Sequence, residues 1–551
     1  MNTNRSPSHS TRLRDSSRII LWLSLGLGVL AAPLQAATAP RLDFTPAEIA
    51  FARGVAADPA LAAFYGGNDL EPVFTGPEAR PRREALLATV TRAADHGLPP
   101  ARYQPEALRG LLDRDGSDPA AERLMAGIFS AWVHDMSAGL LDPRRVDPAI
   151  KRRGEGADAA ALLRDFAVAT NPAAVLARAI PADRRYLVLQ QALSEARGLA
   201  APEGTPPAPE GLWRPVTRAP EVAALRHRLA ATGFATDAAD PALYDDALAD
   251  AVRAFQTAAG LPIDGVAGPQ TIRRLNAPPG HGPRELLMAM ERLRWLPDDL
   301  DEGGARHIWV NTPAYTAEIV EEGREVFQTR VVVGTTDPDM QTPEFSDRML
   351  YVVANPTWTV PRSMIVRDYL PRLQANRHAV AHLDVINASG KVIPRDQIDF
   401  SRYTAANFPY RLRQKPSDSN ALGLVKFLFP NPWNIYLHDT PSKGLFREGR
   451  RAFSNGCVRV ADPMDLARAL LSKQTDDPAG MLARALQSGR ERYLTLEPTV
   501  PIHLVYFTTL PDADGTIRHY RDVYGRDAAL WAALEAALAP PDAASELASA
   551  D

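Results

Sequence analysis

Cysteine is all but missing from this chain: there is one thiol, Cys457, in 551 residues. A single cysteine excludes an internal disulfide, and a lone thiol in an exported chain stands out as free and reactive. A long apolar run is missing too. The uncharged stretch at residues 19–32 is short of the roughly 20 residues a helix needs to cross a bilayer. Charge of one sign is not in excess: 62 Lys and Arg face 66 Asp and Glu, a net −4, so no global basic field argues for nucleic acid. The His-Glu-x-x-His pattern of a helix-borne metal site is absent. His378 and His382 have i,i+4 spacing but no third ligand nearby, so they read as surface or core residues, and neither metal nor cofactor is expected.

What remains is ordinary globular composition, 45% apolar and 23% charged, in a chain long enough for several cores. The 48 prolines outnumber the 35 glycines, which suggests long ordered loops and linkers. Residues 1–36 read as an export signal. Arg5, Arg12, Arg14 and Arg18 precede the apolar run, Pro33 ends it, and Leu34-Gln35-Ala36 offers a cleavage site. The alternative is an uncleaved anchor, the only membrane contact expected. Either way the rest of the chain lies outside the cytoplasmic membrane.

The organisation predicted downstream is α+β and multidomain. Residues 44–200 carry alanine-rich amphipathic runs, at 83–94 and 120–137, and read as a helical scaffold with no titratable cluster. A Pro- and Gly-rich linker follows at 201–218. Residues 219–276 predict three short helices marked by Leu225 and Leu229, Val252 and Phe255, and Ile272 and Leu275. Beyond a second break at 277–283 the period changes from 3.6 to 2. Residues 308–311, 314–320, 326–333 and 349–354 read as strands, with Glu322-Gly323 as a hairpin turn. Residues 284–510 therefore form a mainly β domain. Within it, 361–416 loses the strand pattern and reads as an inserted cap or lid. Residues 511–551 read as a terminal hairpin and helix.

The chemistry gathers at the end of the β domain. His438-Asp439-Thr440-Pro441 and Ser454-Asn455-Gly456-Cys457-Val458-Arg459, whose cysteine lies nineteen residues on from the histidine, combine a thiol, a base and a turn. A thiol is a nucleophile only as thiolate, and a neighbouring imidazole lowers its pKa. Gly456 lets the backbone turn so that the N–H groups of Gly456 and Cys457 point at a developing oxyanion, with Tyr436 as a further donor. A strand at 434–438 puts Tyr436 and His438 on one face and Ile435 and Leu437 on the core side. Asp439 then points away from His438 and does not orient it. Ser454 and Arg459 order the turn or hold a substrate carboxylate, with a structural ion pair as the other reading of Arg459. Trp358 and Trp433 line a groove or fill the core. Asp462 and Pro463 open a helix as N-cap and first residue.

These residues resemble a known family. His438-Asp-Thr-Pro-x3-Leu-Phe followed by Arg451-Ala-Phe-Ser-x-Gly-Cys-Val-Arg459 is similar to the active-site signature of L,D-transpeptidases with a YkuD-type catalytic domain. Trp309-Val-Asn-Thr-Pro-Ala, Val333-Gly-Thr, Gln341-Thr-Pro-x-Phe-Ser, Asn355-Pro-x-Trp-x-Val-Pro and Leu422-Gly-x-x-Lys-Phe-x-Phe-Pro-Asn share that likeness. Phe255-Gln-x4-Leu-Pro-Ile-Asp-Gly-x2-Gly-Pro-x-Thr resembles a peptidoglycan-binding domain. The domain order resembles the large YcbB-type members. Asn455 departs from the pattern, standing where many members carry histidine. The resemblance implies Cys457 as nucleophile, His438 as base, and a substrate-contacting set of Arg459, Ser454, Tyr436, Asn455 and Trp358. It implies a tetrapeptide donor that loses D-alanine, a diaminopimelate amine acceptor, 3→3 cross-links and acylation by carbapenems, in a Gram-negative periplasm. A cysteine-dependent wall hydrolase or carboxypeptidase, and a non-catalytic peptidoglycan-binding protein, are the other readings.

Overall fold

The computed structural model describes residues 44–114, 116–154, 156–199, 204–234, 237–258, 261, 263–276, 282–297 and 306–539. The expected signal at 1–36 lies outside them, as do parts of both Pro/Gly breaks and the end of the C-terminal segment. Among the described residues no helix is long and apolar enough to cross a membrane.

The scaffold is built around the helix Pro119–Ser137. Asp118 caps it by accepting from the backbone N–H of Ala120 and Ala121, and proline occupies the first turn, where no N–H is needed. Met125, Phe129, Trp132, Val133 and Met136 recur at helical spacing and are buried. Their cluster does not stop at the scaffold. It takes in Leu286, Met290 and Leu293 of the helix Pro283–Arg294, then Trp309, Val505 and Phe507 of the β domain, and Leu530 and Leu534 of the helix Asp527–Leu538. Scaffold and β domain thus share one core. The three helices Pro220–Ala231, Asp246–Ala258 and Pro269–Asn276 enclose a separate small core of Leu225, Leu229, Val252, Phe255 and Ile272.

The β domain begins with β1 (His307–Asn311), β2 (Thr316–Glu321), β3 (Arg324–Gly334) and β4 (Phe345–Ala354). Glu322 and Gly323, at φ 52° and 69°, close the β2–β3 hairpin with the two left-handed residues that match strand twist. Next come β5 (Trp358–Thr359), β6 (Asp384–Ile386) and β7 (Arg411–Gln414) in the insertion. Then follow β8 (Val425–Leu428), β9 (Leu437–His438), β10 (Ala452–Ser454), β11 (Val458–Val460) and β12 (Arg492–Val505). The large sheet runs β10-β3-β11-β9-β8-β4-β12-β1-β2, and an additional β3–β2 pairing closes it into a barrel. Ile308 and Val310 of β1 fill the barrel, whereas Trp309 faces the scaffold core. That is why β1 is buried at every position instead of alternating.

Three sequence expectations need correction. The strand expected at 434–438 is only Leu437–His438, because Asn434 sits at φ 55° and the Asn431 side chain bonds the backbone of Trp433 and Ile435 in a local turn. Asp462 stands at the N-cap of the helix Pro463–Leu471 and Pro463 opens it, both as expected, with the Asp462 carboxylate accepting from Thr329 Oγ1 at 2.8 Å instead of from the helix backbone. The insertion's own core reaches past 361–416, drawing in Trp358, Val360 and Leu422 around the sheet β5-β7-β6. A two-residue strand flanked by prolines gives no periodic signal to read. The terminal hairpin, β13 (Thr509–Pro511) with β14 (Ile517–His519), starts just before residue 511.

Candidate active site

β9 and β11 pair in parallel, with Val458 opposite Leu437 and Arg459 opposite His438. Parallel neighbours share a face, so this register puts the imidazole and the guanidinium side by side although 21 residues of sequence separate them. His438 is 5% exposed. Its Nδ1–H donates to the carbonyl of Asp439 at 2.5 Å, which fixes the tautomer and leaves the lone pair on Nε2. The Asp439 carboxylate, as expected from strand geometry, serves elsewhere: it accepts from Leu424 N, Thr440 N and Lys443 Nζ. Burial, with Arg459 adding to it, holds the His438 pKa down to about 4.

The turn before β11 presents the thiol. Gly456 has φ 107°, a conformation side chains rarely adopt, and a Cβ there would come within 3.2 Å of Ile435 Cδ1. Ser454 Oγ donates to the Cys457 carbonyl at 2.5 Å and accepts from Gly456 N–H at 3.1 Å. Ser454 therefore orders the turn, and the expected Gly456 oxyanion donor is already spent. The Cys457 N–H has no backbone or side-chain acceptor among the described residues and remains available. Asn455 lines the space around the thiol. Its Oδ1 accepts from Arg367 Nη2 of the cap at 2.7 Å.

The sulfur's partners differ from the expected imidazole. Sγ lies 3.5 Å from the Asn434 carbonyl, and both the backbone N–H and the hydroxyl of Tyr436 donate toward it. The Trp358 indole hydrogen-bonds that hydroxyl in turn. Trp358, 7% exposed, is thus a support for Tyr436, while Trp433, 38% exposed and packed on Phe345 at 4.7 Å, stands at the rim of a cavity. Burial pushes the Cys457 pKa up to about 11, against the pull of the Tyr436 bonds and Arg459. Thiol and imidazole both rest neutral, and no hydrogen bond joins them.

Arg459 forms no ion pair among the described residues, its Nε is buried without a partner, and burial lowers its pKa. An unpaired guanidinium beside Cys457 and His438 is a seat for an anion. His378 lies on the cap surface 3.4 Å from Asp396, and His382 lines the smaller cavity described below. The two follow the helix Leu370–Ala375 rather than sharing one. Among the described residues no group of three His, Cys, Asp or Glu converges to hold a metal.

Cys457 stands where two cavities meet. One, about 1140 Å³, is lined by Tyr436, Cys457, the cap residues Pro361 and Arg411, and Tyr524 and Arg526 near the C-terminus. The other, about 620 Å³, is lined by Trp358, Tyr436, His438, Ser454, Cys457 and Arg459. Two positioning residues carried no readable role in the sequence. Thr342 Oγ1 donates to the Gly456 carbonyl at 2.8 Å and accepts from Gly334 N–H at 2.9 Å. Tyr524 OH donates to the Gly334 carbonyl at 2.9 Å and accepts from Thr342 N–H. Thr342→Val keeps the shape but orphans two buried backbone groups, so it is expected to lower stability by about 1–3 kcal/mol, read as a drop in Tm. An unchanged Tm would remove Thr342 from the support of the turn.

Comparison with known proteins agrees with this geometry. Residues 305–479 match the L,D-transpeptidase catalytic domain (YkuD), residues 59–193 a scaffold domain, and residues 218–275 a "Putative peptidoglycan binding domain". A Haemophilus influenzae protein named "Putative L,D-transpeptidase" is 35% identical over 246 residues, which is 44% of this chain and 48% of that protein. The match thus spans about half the length of that curated relative. A crystal structure of an L,D-transpeptidase from Xylanimonas cellulosilytica is 18% identical, covering 54% of this chain and 100% of that one, with a TM-score of 0.16. The chain thus matches the L,D-transpeptidase catalytic domain (YkuD) over residues 305–479, together with a scaffold domain and a putative peptidoglycan-binding domain over two earlier stretches.

Proposed function

We propose that this protein joins peptidoglycan stem peptides through a Cys457 thioester, releasing D-alanine and forming 3→3 cross-links in the periplasm. The observation that carries the reading is the position of Cys457 between two cavities, one of which also holds His438 and Arg459. Acyl transfer needs room for the acyl part on one side of the sulfur and, on the other, room beside the base for the leaving and the entering amine.

The chemistry divides between the cavities. Sγ attacks the donor carbonyl as His438 Nε2 takes its proton, and the oxyanion meets the Cys457 N–H and the Tyr436 hydroxyl. The C–N bond breaks, and His438 returns the proton to the departing amine of D-alanine, whose carboxylate suits the unpaired Arg459. The acceptor amine then enters where the first amine left. His438 takes its proton, the new C–N bond forms, the C–S bond breaks, and the proton returns to sulfur. Leaving and entering amines need the same base, so both belong in the smaller cavity with His438. The acyl part of the donor lies in the larger one.

The test uses intact-protein mass and product analysis. Wild type exposed to meropenem is expected to gain one adduct on Cys457, and incubation with tetrapeptide stems to yield dimers plus free D-alanine. Cys457→Ala should do neither. Trimmed tripeptide as the sole product would replace the transferase with a carboxypeptidase, and no adduct would leave a binding protein.

A further inference from the structure

The larger cavity has a wall that the catalytic domain does not supply. Residues 147–151, within the scaffold half of the chain, line it through Asp147, Pro148, Ala149 and Lys151. The segment is held there firmly. Ile150 bridges Glu344 in parallel, with Lys151 N–H donating to the Glu344 carbonyl at 2.8 Å and Glu344 N–H to the Ala149 carbonyl at 3.0 Å. Arg526 clamps the joint, 3.1 Å from the Asp147 carboxylate and 2.8 Å from that of Glu344, with its guanidinium over the rings of Tyr506 and Tyr524. Ile150 and Arg152 are buried on either side, and Arg152 reaches the Leu504 carbonyl at 2.6 Å. In an extended segment the residue between two inward side chains points the other way, and Lys151 lines the cavity.

The charge there is unbalanced. Lys151 Nζ donates only to the Pro148 carbonyl, and among the described residues no carboxylate pairs with it. Arg411, on the cap side of the same cavity, likewise has no carboxylate partner. Arg362 is engaged by the carbonyls of Phe408 and Ala405, and Arg526 by Asp147 and Glu344. Asp339 is the one lining acid that no cation holds. A cavity with spare cations on two facing domains fits a ligand with carboxylates.

We propose that Lys151 reads a carboxylate on the acyl part of the donor stem, making the scaffold a specificity-determining wall of the active site. The inference rests on the proposed function only in placing the donor's acyl part in this cavity. Its test is therefore a binding measurement that needs no turnover. Affinity for a tetrapeptide donor, with its stem carboxylates free or amidated, is measured by calorimetry on full-length Cys457→Ala carrying Lys151→Ala, Lys151→Glu or Lys151→Arg. Loss of one charge-assisted contact is expected to weaken binding of the free-carboxylate donor about tenfold. Lys151→Glu should lose more, and Lys151→Arg should bind as Lys151 does. With the amidated donor the variants should bind alike, which separates charge reading from a change of shape. Equal affinity of Lys151→Glu and the Lys151 protein for the free-carboxylate donor overturns the proposal, as does an equal loss on both donors. If Lys151 governs binding yet the wild type makes no cross-link, the proposed reaction fails and this inference stands.

Discussion

Replacing His438 with Gln is expected to slow thioester formation on Cys457 by about 100- to 10,000-fold, the range for removing a positioned base. The argument starts from protonation. The thiol is neutral at rest and the imidazole is neutral above about pH 4, so the proton must leave sulfur during attack instead of beforehand. Nε2 is the one nitrogen able to take it, since Nδ1–H is committed to the Asp439 carbonyl. Glutamine can hydrogen-bond but cannot accept a proton near neutral pH. Single-turnover acylation followed by intact mass gives the rate directly. A loss smaller than tenfold would remove His438 as the base. The second half-reaction should suffer equally, because the neutral acceptor amine sheds a proton as its C–N bond forms and the same lone pair takes it.

The parts of this site that could be read from sequence are those set by a residue and its immediate neighbours. Cys457, Gly456 and His438 fall in this group, because a lone thiol beside a glycine turn and a histidine on a short strand have few other uses. The alternation that put Tyr436 and His438 on one face held although only two residues of that segment are strand. What escaped is set by the destination of a side chain. Ser454 turns back on its own loop and consumes the Gly456 N–H, so the oxyanion donor assigned to that group was misplaced. Asn455 is turned toward Arg367 by the cap, which no local rule foresees. Long-range walls escaped too. Lys151 lies 306 residues before Cys457 and Arg526 lies 69 after it, and the two meet at its cavity because the scaffold and the β domain share a core. Composition reads this half as scaffold, and nothing local to residues 147–151 marks them as a wall of that cavity.

The resting ionisation leads to the second large effect. In enzymes that pair thiolate with imidazolium, alkylation of the thiol is fast near neutrality and levels off at low pH. Here the Cys457 pKa is pushed up to about 11 by burial, and the positive Arg459 and the Tyr436 donors recover only part of that cost. The thiolate fraction therefore falls tenfold for each pH unit below that value, to roughly one molecule in 10,000 at pH 7. Alkylation of the free enzyme by iodoacetamide, followed by mass, is expected to rise about 1000-fold between pH 7 and pH 10 with no plateau in that window. His438→Gln should leave this profile unchanged, since hydroxide in bulk water supplies the base and no ion pair is lost. Tyr436→Phe should displace it upward, because a donor to the thiolate disappears. A plateau already reached by pH 7 would mean that sulfur and imidazole share a proton at rest. The site can therefore wait unreactive: the sulfur becomes a nucleophile only when a bound carbonyl lies against it and Nε2 is there to take the proton.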